Sequence, residues 1–92
     1  MALLDEVKGV LRVSGTDFDT EVNDLIDACK LELSLSGVGK VEETDALIKR
    51  AIILYCKANF GWDNQEFDRF QKSYDLLKAH LSLSSDYKVT TS

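Results

Sequence analysis

Cys29, Cys56 and His80 are the residues of this 92-residue chain with the strongest intrinsic chemistry. A thiolate can attack a carbonyl, ligate a metal or form a disulfide, and a histidine can move the proton that such an attack requires. Neither cysteine has a CxxC partner, and both lie inside apolar runs, "DACKL" and "LYCKA". That pattern predicts two free, buried thiols in a reducing cytosol. His80 follows Lys78 and Ala79 near the end of a helical stretch, where a cation simply suits the negative helix terminus. A metal centre needs several converging ligands, and one histidine with two separated thiols supplies too few. Paired carboxylates are available among sixteen Asp and Glu residues, but no spacing selects one pair for acid–base work. A serine-borne prosthetic group needs an Asp-Ser-Leu setting, and no Asp-Ser pair occurs. "GVGKVEE" is no phosphate cradle, because it lacks GxxxxGK[ST] and no strand precedes it. The expectation is a protein that is not an enzyme and carries no cofactor and no metal.

The elements that position these residues follow from composition and periodicity. Ninety-two residues make one domain, apolar residues are 45% of the chain, and proline is absent. A proline-free, glycine-poor chain favours helices over a turn-rich sheet. The start, "MALLDEVKGVL", is too short and too charged for a signal peptide, and no apolar run reaches membrane-spanning length. The chain is therefore expected to be cytosolic where it is made, with no membrane partner.

Four amphipathic segments emerge, so the fold class is all-α: a small bundle of about four helices with a flexible C-terminal tail. The domain spans residues 1–86 and the tail residues 87–92. Helix 1 covers about Leu3 to Leu11. Helix 2 starts at Asp17 or Asp19, with Thr16, Asp17 and Asp19 as candidate caps, and stops at Gly37. Its core stripe is Phe18, Val22, Leu25, Ile26, Cys29 and Leu33. Asp17, Glu21, Asp24 and Glu32 form an opposing acidic face. Leu31 and Leu35, one turn apart, point to that same side. They read either as tolerated exposed leucines or as a subunit contact. Helix 3 runs from Thr44 or Asp45 to Phe60, with Thr44 able to cap it and Asp45 suiting the helix dipole, and its "AIILYC" is apolar all round, as in a central helix surrounded by the others. Helix 4 runs from about Asn64 to Leu83 with a seam of Phe67, Phe70, Tyr74, Leu77 and Leu81, and Asp68 and Lys72 are spaced to pair.

The only tryptophan lies between helices 3 and 4, in "NFGWDNQEF". Gly61 suits the left-handed position that ends a helix. If Asp63 caps helix 4, Glu66 stands three residues on, Trp62 precedes the cap, and Phe67 takes the fourth helical position. This is the hydrophobic-staple pairing. Gly61, Trp62, Asp63 and Phe67 are thus a candidate structural pin, in preference to an exposed partner contact.

Net charge is −5, unevenly placed: residues 1–45 carry eleven acids and four bases, residues 46–92 five acids and seven bases. An acidic protein is poorly built for gripping phosphates. The imbalance reads either as hydrated faces or as head-to-tail self-association. No helix offers a clearly basic recognition surface for DNA.

Taken together, the "DFDTEVNDLI" helix start, "FGWDN" and "YDLLKAHL" resemble the small head-tail connector proteins of tailed phages and Gram-positive prophages, also called head-completion or adaptor proteins. The resemblance runs from Leu3 to about Lys88. It implies a helical subunit that forms a homo-oligomeric ring beneath the portal protein, extends the DNA channel and docks the next connector or tail-completion protein. It also implies residence in the host bacterial cytoplasm during assembly and then in the virion neck. The acidic side of helix 2 would face the channel, where it lets DNA pass without tight binding, or a neighbouring subunit. Lys88, Val89 and Thr90, in the extended-prone "KVTT", can add a strand to a partner's sheet edge. The alternative is a small helical phage regulator or DNA-packaging accessory protein that contacts DNA.

Overall fold

The amphipathic segments fold into α1 (Leu3–Leu11), α2 (Asp19–Leu35), α3 (Ala46–Asn59) and α4 (Phe67–Leu83). They are seen in a computed structural model that describes residues 3–39, 41–60, 66–84 and 86–87. No strand occurs among these residues, in line with the all-α expectation. Lys88, Val89 and Thr90 of the tail lie outside them, as do Gly61, Trp62 and Asp63 of the structural pin.

Helix boundaries follow local chemistry, with Asp45 taking the cap expected of Thr44 at α3 and two larger departures from the sequence reading. The α3 start is capped by Asp45, whose Oδ1 accepts from the backbone N–H groups of Leu47 at 2.9 Å and Ile48 at 3.2 Å. Gly37 ends α2 at φ 98°, a conformation open to glycine and costly for other residues. Its N–H donates to Ser34 O, while that of Val38 donates to Leu33 O, and Leu33 and Val38 are both fully buried. These two bonds and the apolar contact are a Schellman closure. The first departure is at α2, where Phe18 stands in the cap position with no side-chain cap bond. Asp19, a candidate cap, instead pairs with Lys8 of α1 at 2.6 Å, so tertiary attraction takes the carboxylate. The second is at α4. Glu66, not Asp63, occupies the cap position, and Phe67 is the first helical residue instead of the fourth. Phe67 is 40% exposed, so it heads the helix without joining the buried seam. Asp68 and Lys72 do not pair. Glu66 instead pairs with Arg69 at 2.8 Å.

One apolar cluster holds the helices together. Val7 of α1, Val22, Ile26, Cys29 and Leu33 of α2, Ile48, Ile52 and Cys56 of α3, and Tyr74 and Leu81 of α4 are all buried in it. The third helix touches each of the other three, which matches its apolar character. It is not surrounded, however. Ile53 and Leu54 on its outer side are only half-buried. Ring contacts and polar contacts give the directions. Phe18 before α2 meets Phe60 after α3 edge-on at 5.6 Å, so these helices run antiparallel. Cys29 contacts the Tyr74 hydroxyl at 3.8 Å and Glu32 meets Lys78 at 2.9 Å, so α2 and α4 run parallel.

The chain returns to the bundle after α4. Tyr87, placed with the tail by sequence, packs against the core, and its hydroxyl donates to the Asp45 carboxylate at 2.9 Å. Its carbonyl accepts from Gly39 N–H at 2.6 Å. The same aspartate therefore caps α3 and holds Tyr87.

Candidate functional site

The residues with intrinsic chemistry are kept apart from solvent or from one another. Cys29 and Cys56 are free and buried. Burial pushes both thiols up to about 12, which removes the thiolate that nucleophilic attack needs. The Tyr74 hydroxyl is likewise driven upward by burial. His80 is exposed on α4. Among the described residues no three His, Cys, Asp or Glu side chains converge as metal ligands would.

The surface carries more information. On α2 the inner residues Val22, Ile26, Cys29 and Leu33 are at most 4% exposed, whereas Leu31 is 61% and Leu35 is 80% exposed. Glu21, Asp24, Asp27 and Ala28 are exposed on the same outer side. The face is bipartite: carboxylates lie toward its N-terminal half and leucines toward its C-terminal half. Asp17 is exposed just before the helix. Glu32 does not belong with this face. It bridges to Lys78 of α4, a position set by the parallel packing of the two helices. Burial alone would raise the Glu32 carboxyl. The hydrogen bond and charge of Lys78, with the Tyr74 hydroxyl alongside, outweigh it and hold the carboxyl below its ordinary value.

Opposite charges from the two halves of the chain also meet inside one subunit. Lys49 of α3 pairs with Glu6 of α1 at 3.1 Å, and Lys78 with Glu32 at 2.9 Å. The acidic and basic halves are therefore partly interleaved. Asp17, Glu21, Asp24 and Asp27 remain outside these pairs, so the acidic excess concentrates on outer α2.

A shallow groove of about 360 Å³ runs along the outer side of α3 against α4. Ile53, Leu54 and Phe70 supply its apolar floor, and Lys49, Arg50, Lys57 and Arg69 its basic rim. Lys57 and Arg69 both lie over the Phe70 ring, at 4.7 Å and 4.9 Å. The sequence reading attended to the buried stripe of α4 and missed two exposed leucines on its far side, Leu76 at 68% and Leu83 at 77%. Their seven-residue spacing was the available signal.

An all-α bundle with buried thiols and outward apolar helix faces defines a class: small helical proteins distinguished by contact surfaces. The chain belongs to the phage connector protein family, which it matches over residues 3–88. The matched span contains all four helices. No curated protein and no solved structure matches the chain. Membership gives the protein a structural connector role. Among the described residues no helix is long and apolar enough to cross a membrane.

Proposed function

We propose that the protein is a head-tail connector subunit that forms a homo-oligomeric ring beneath the portal protein. The ring extends the DNA channel and docks the next connector or tail-completion protein. Assembly takes place in the host cytoplasm, and the mature location is the virion neck. The role is structural and not catalytic. The observation that carries the reading is outer α2, where two leucines stay exposed beside unpaired carboxylates while the inner side of the same helix is fully buried. A subunit whose work is contact with other subunits needs such a face. Net acidity also keeps a threaded duplex mobile, because phosphates gain little from the wall.

Negative-stain microscopy of the protein mixed with portal tests this directly. Rings seated on portal are expected, and bare portal would refute it. The tail is proposed to dock on the partner from its anchor at Tyr87. A chain lacking residues 88–92 should stay folded yet lose portal binding. The basic groove rim favours a second reading, in which the protein contacts DNA. A gel shift across a salt series separates the two. The connector shows little affinity at moderate salt, whereas a DNA-binding accessory shows clear, salt-sensitive binding.

A further inference from the structure

Two helices of this subunit present outward seams with the same spacing. On α2 the seam is Asp24, Ala28, Leu31 and Leu35; on α4 it is Lys72, Leu76, Ala79 and Leu83. Both advance by four, three and four residues, the rhythm of helices that pack lengthwise. All eight residues are exposed. Leu31, Leu35, Leu76 and Leu83, at 61%, 80%, 68% and 77%, are the most exposed large apolar side chains among the described residues. Each seam spans eleven steps, about 16 Å of helix. Each begins with a charge and the two charges are opposite. Glu21 and Asp27 flank Asp24 one turn away on either side, while Lys72 is flanked by Arg69, Asp68 and Asp75.

The fold puts these seams where a neighbour can use both. Each lies on the far side of its helix from the residues packed on α3, so neither seam can meet the other within one subunit. The register also fits. Within a subunit Cys29 is level with Tyr74 and Glu32 with Lys78, so α2 and α4 run parallel with an offset of 45 or 46 positions. The seams are offset by 48. A second copy set alongside the first with its helices parallel therefore needs an axial shift of only about 3–4 Å to bring Asp24 to Lys72 and Leu35 to Leu83.

We infer that the outer seam of α2 in one copy packs against the outer seam of α4 in the next. The contact is heterologous and head-to-tail. It assigns acidic α2 to the neighbour and not to the channel lumen. The inference rests on the ring reading and names the surfaces that build the ring. Ala28 and Ala79 keep the helix axes close, the leucines interdigitate, and Asp24 and Lys72 set direction, since turning one copy over would part the two charges and set each against the other seam's terminal leucine.

The test mixes two full-length variants, Leu35→Cys and Leu83→Cys, with portal present and a mild oxidant. The natural thiols are buried and stay out of the reaction. Disulfide dimers joining one variant to the other are expected, with neither variant linking to itself. Leu31→Cys with Leu76→Cys serves as a second pair. Separately, Asp24→Lys and Lys72→Glu should each weaken subunit association roughly tenfold, and the double variant should restore it. Circular dichroism should show all of these variants folded. Self-linked dimers of either variant would overturn the inference, because they report a two-fold contact. So would rings assembled from the variants that give no cross-link at either pair, or a cross-link from Leu35→Cys to Ser73→Cys in the α3–α4 groove. In those cases the ring reading survives. Wild-type protein that stays monomeric with portal present ends both.

Discussion

The inner and outer sides of α2 both carry leucines, and those leucines have opposite fates. Cys29 and Leu33 on the inner side are fully buried, while Leu35, two residues beyond Leu33, has 80% of its surface in water. Helical geometry alone separates them, because two positions differ by about 200° around the axis. The inner side holds the subunit together. The outer side contributes nothing to the subunit's own core and is free to serve assembly. Stability and association are thus carried by different faces of one helix, and substitutions can tell them apart.

The largest effect on stability is expected inside. Leu33→Ala removes a fully buried side chain that also seals the Schellman closure, and should cost about 2–5 kcal/mol in urea unfolding. Next comes Asp45, which caps α3 and accepts from Tyr87. Asp45→Ala should cost about 1–2 kcal/mol and loosen Tyr87, seen as faster exchange of the Gly39 amide that donates to the Tyr87 carbonyl. Smaller still is the half-exposed bridge between α2 and α4. Glu32→Gln should cost under about 1 kcal/mol at neutral pH. The Glu32 carboxyl is lowered in the folded state, so its contribution is present above the ordinary glutamate range and is lost as pH falls through the folded value. The gap between variant and wild type should therefore close on acidification, and a gap that widened would show that Lys78 does not stabilise the charged form. Smallest on stability is Leu31→Ser with Leu35→Ser, within about 0.5 kcal/mol, yet this pair should abolish ring formation on portal. A stable double variant that still assembles would erase the distinction between the two faces. One chemical probe sharpens it further: at pH 8 the native thiols should resist alkylation and react only on unfolding.

Much of this was legible in sequence. The spacing of Val22, Ile26, Cys29 and Leu33 gave the buried side of α2, and the same arithmetic left Leu31 and Leu35 outside. Gly37 marked the end of α2 and Thr44-Asp45 the start of α3 through chemistry that acts within four residues, although the cap fell to Asp45 and not to Thr44. Departures came wherever a distant partner competed. Asp19 turned to Lys8, Glu32 left the acidic face for Lys78, and Tyr87 joined the core through Asp45. Leu76 and Leu83 were passed over because one apolar stripe already accounted for α4, although a second period was present in the same letters.

By itself the sequence determined the number of helices, most of their inner faces and the glycine that closes α2, because periodicity and capping are local properties of a chain. Tertiary structure alone decided which charges cancel within the subunit and which remain for others. It also set α2 and α4 parallel with their outer seams nearly level. Those outcomes depend on the distance between residues some 45 positions apart, and only the folded packing of α3 between the two helices fixes that distance.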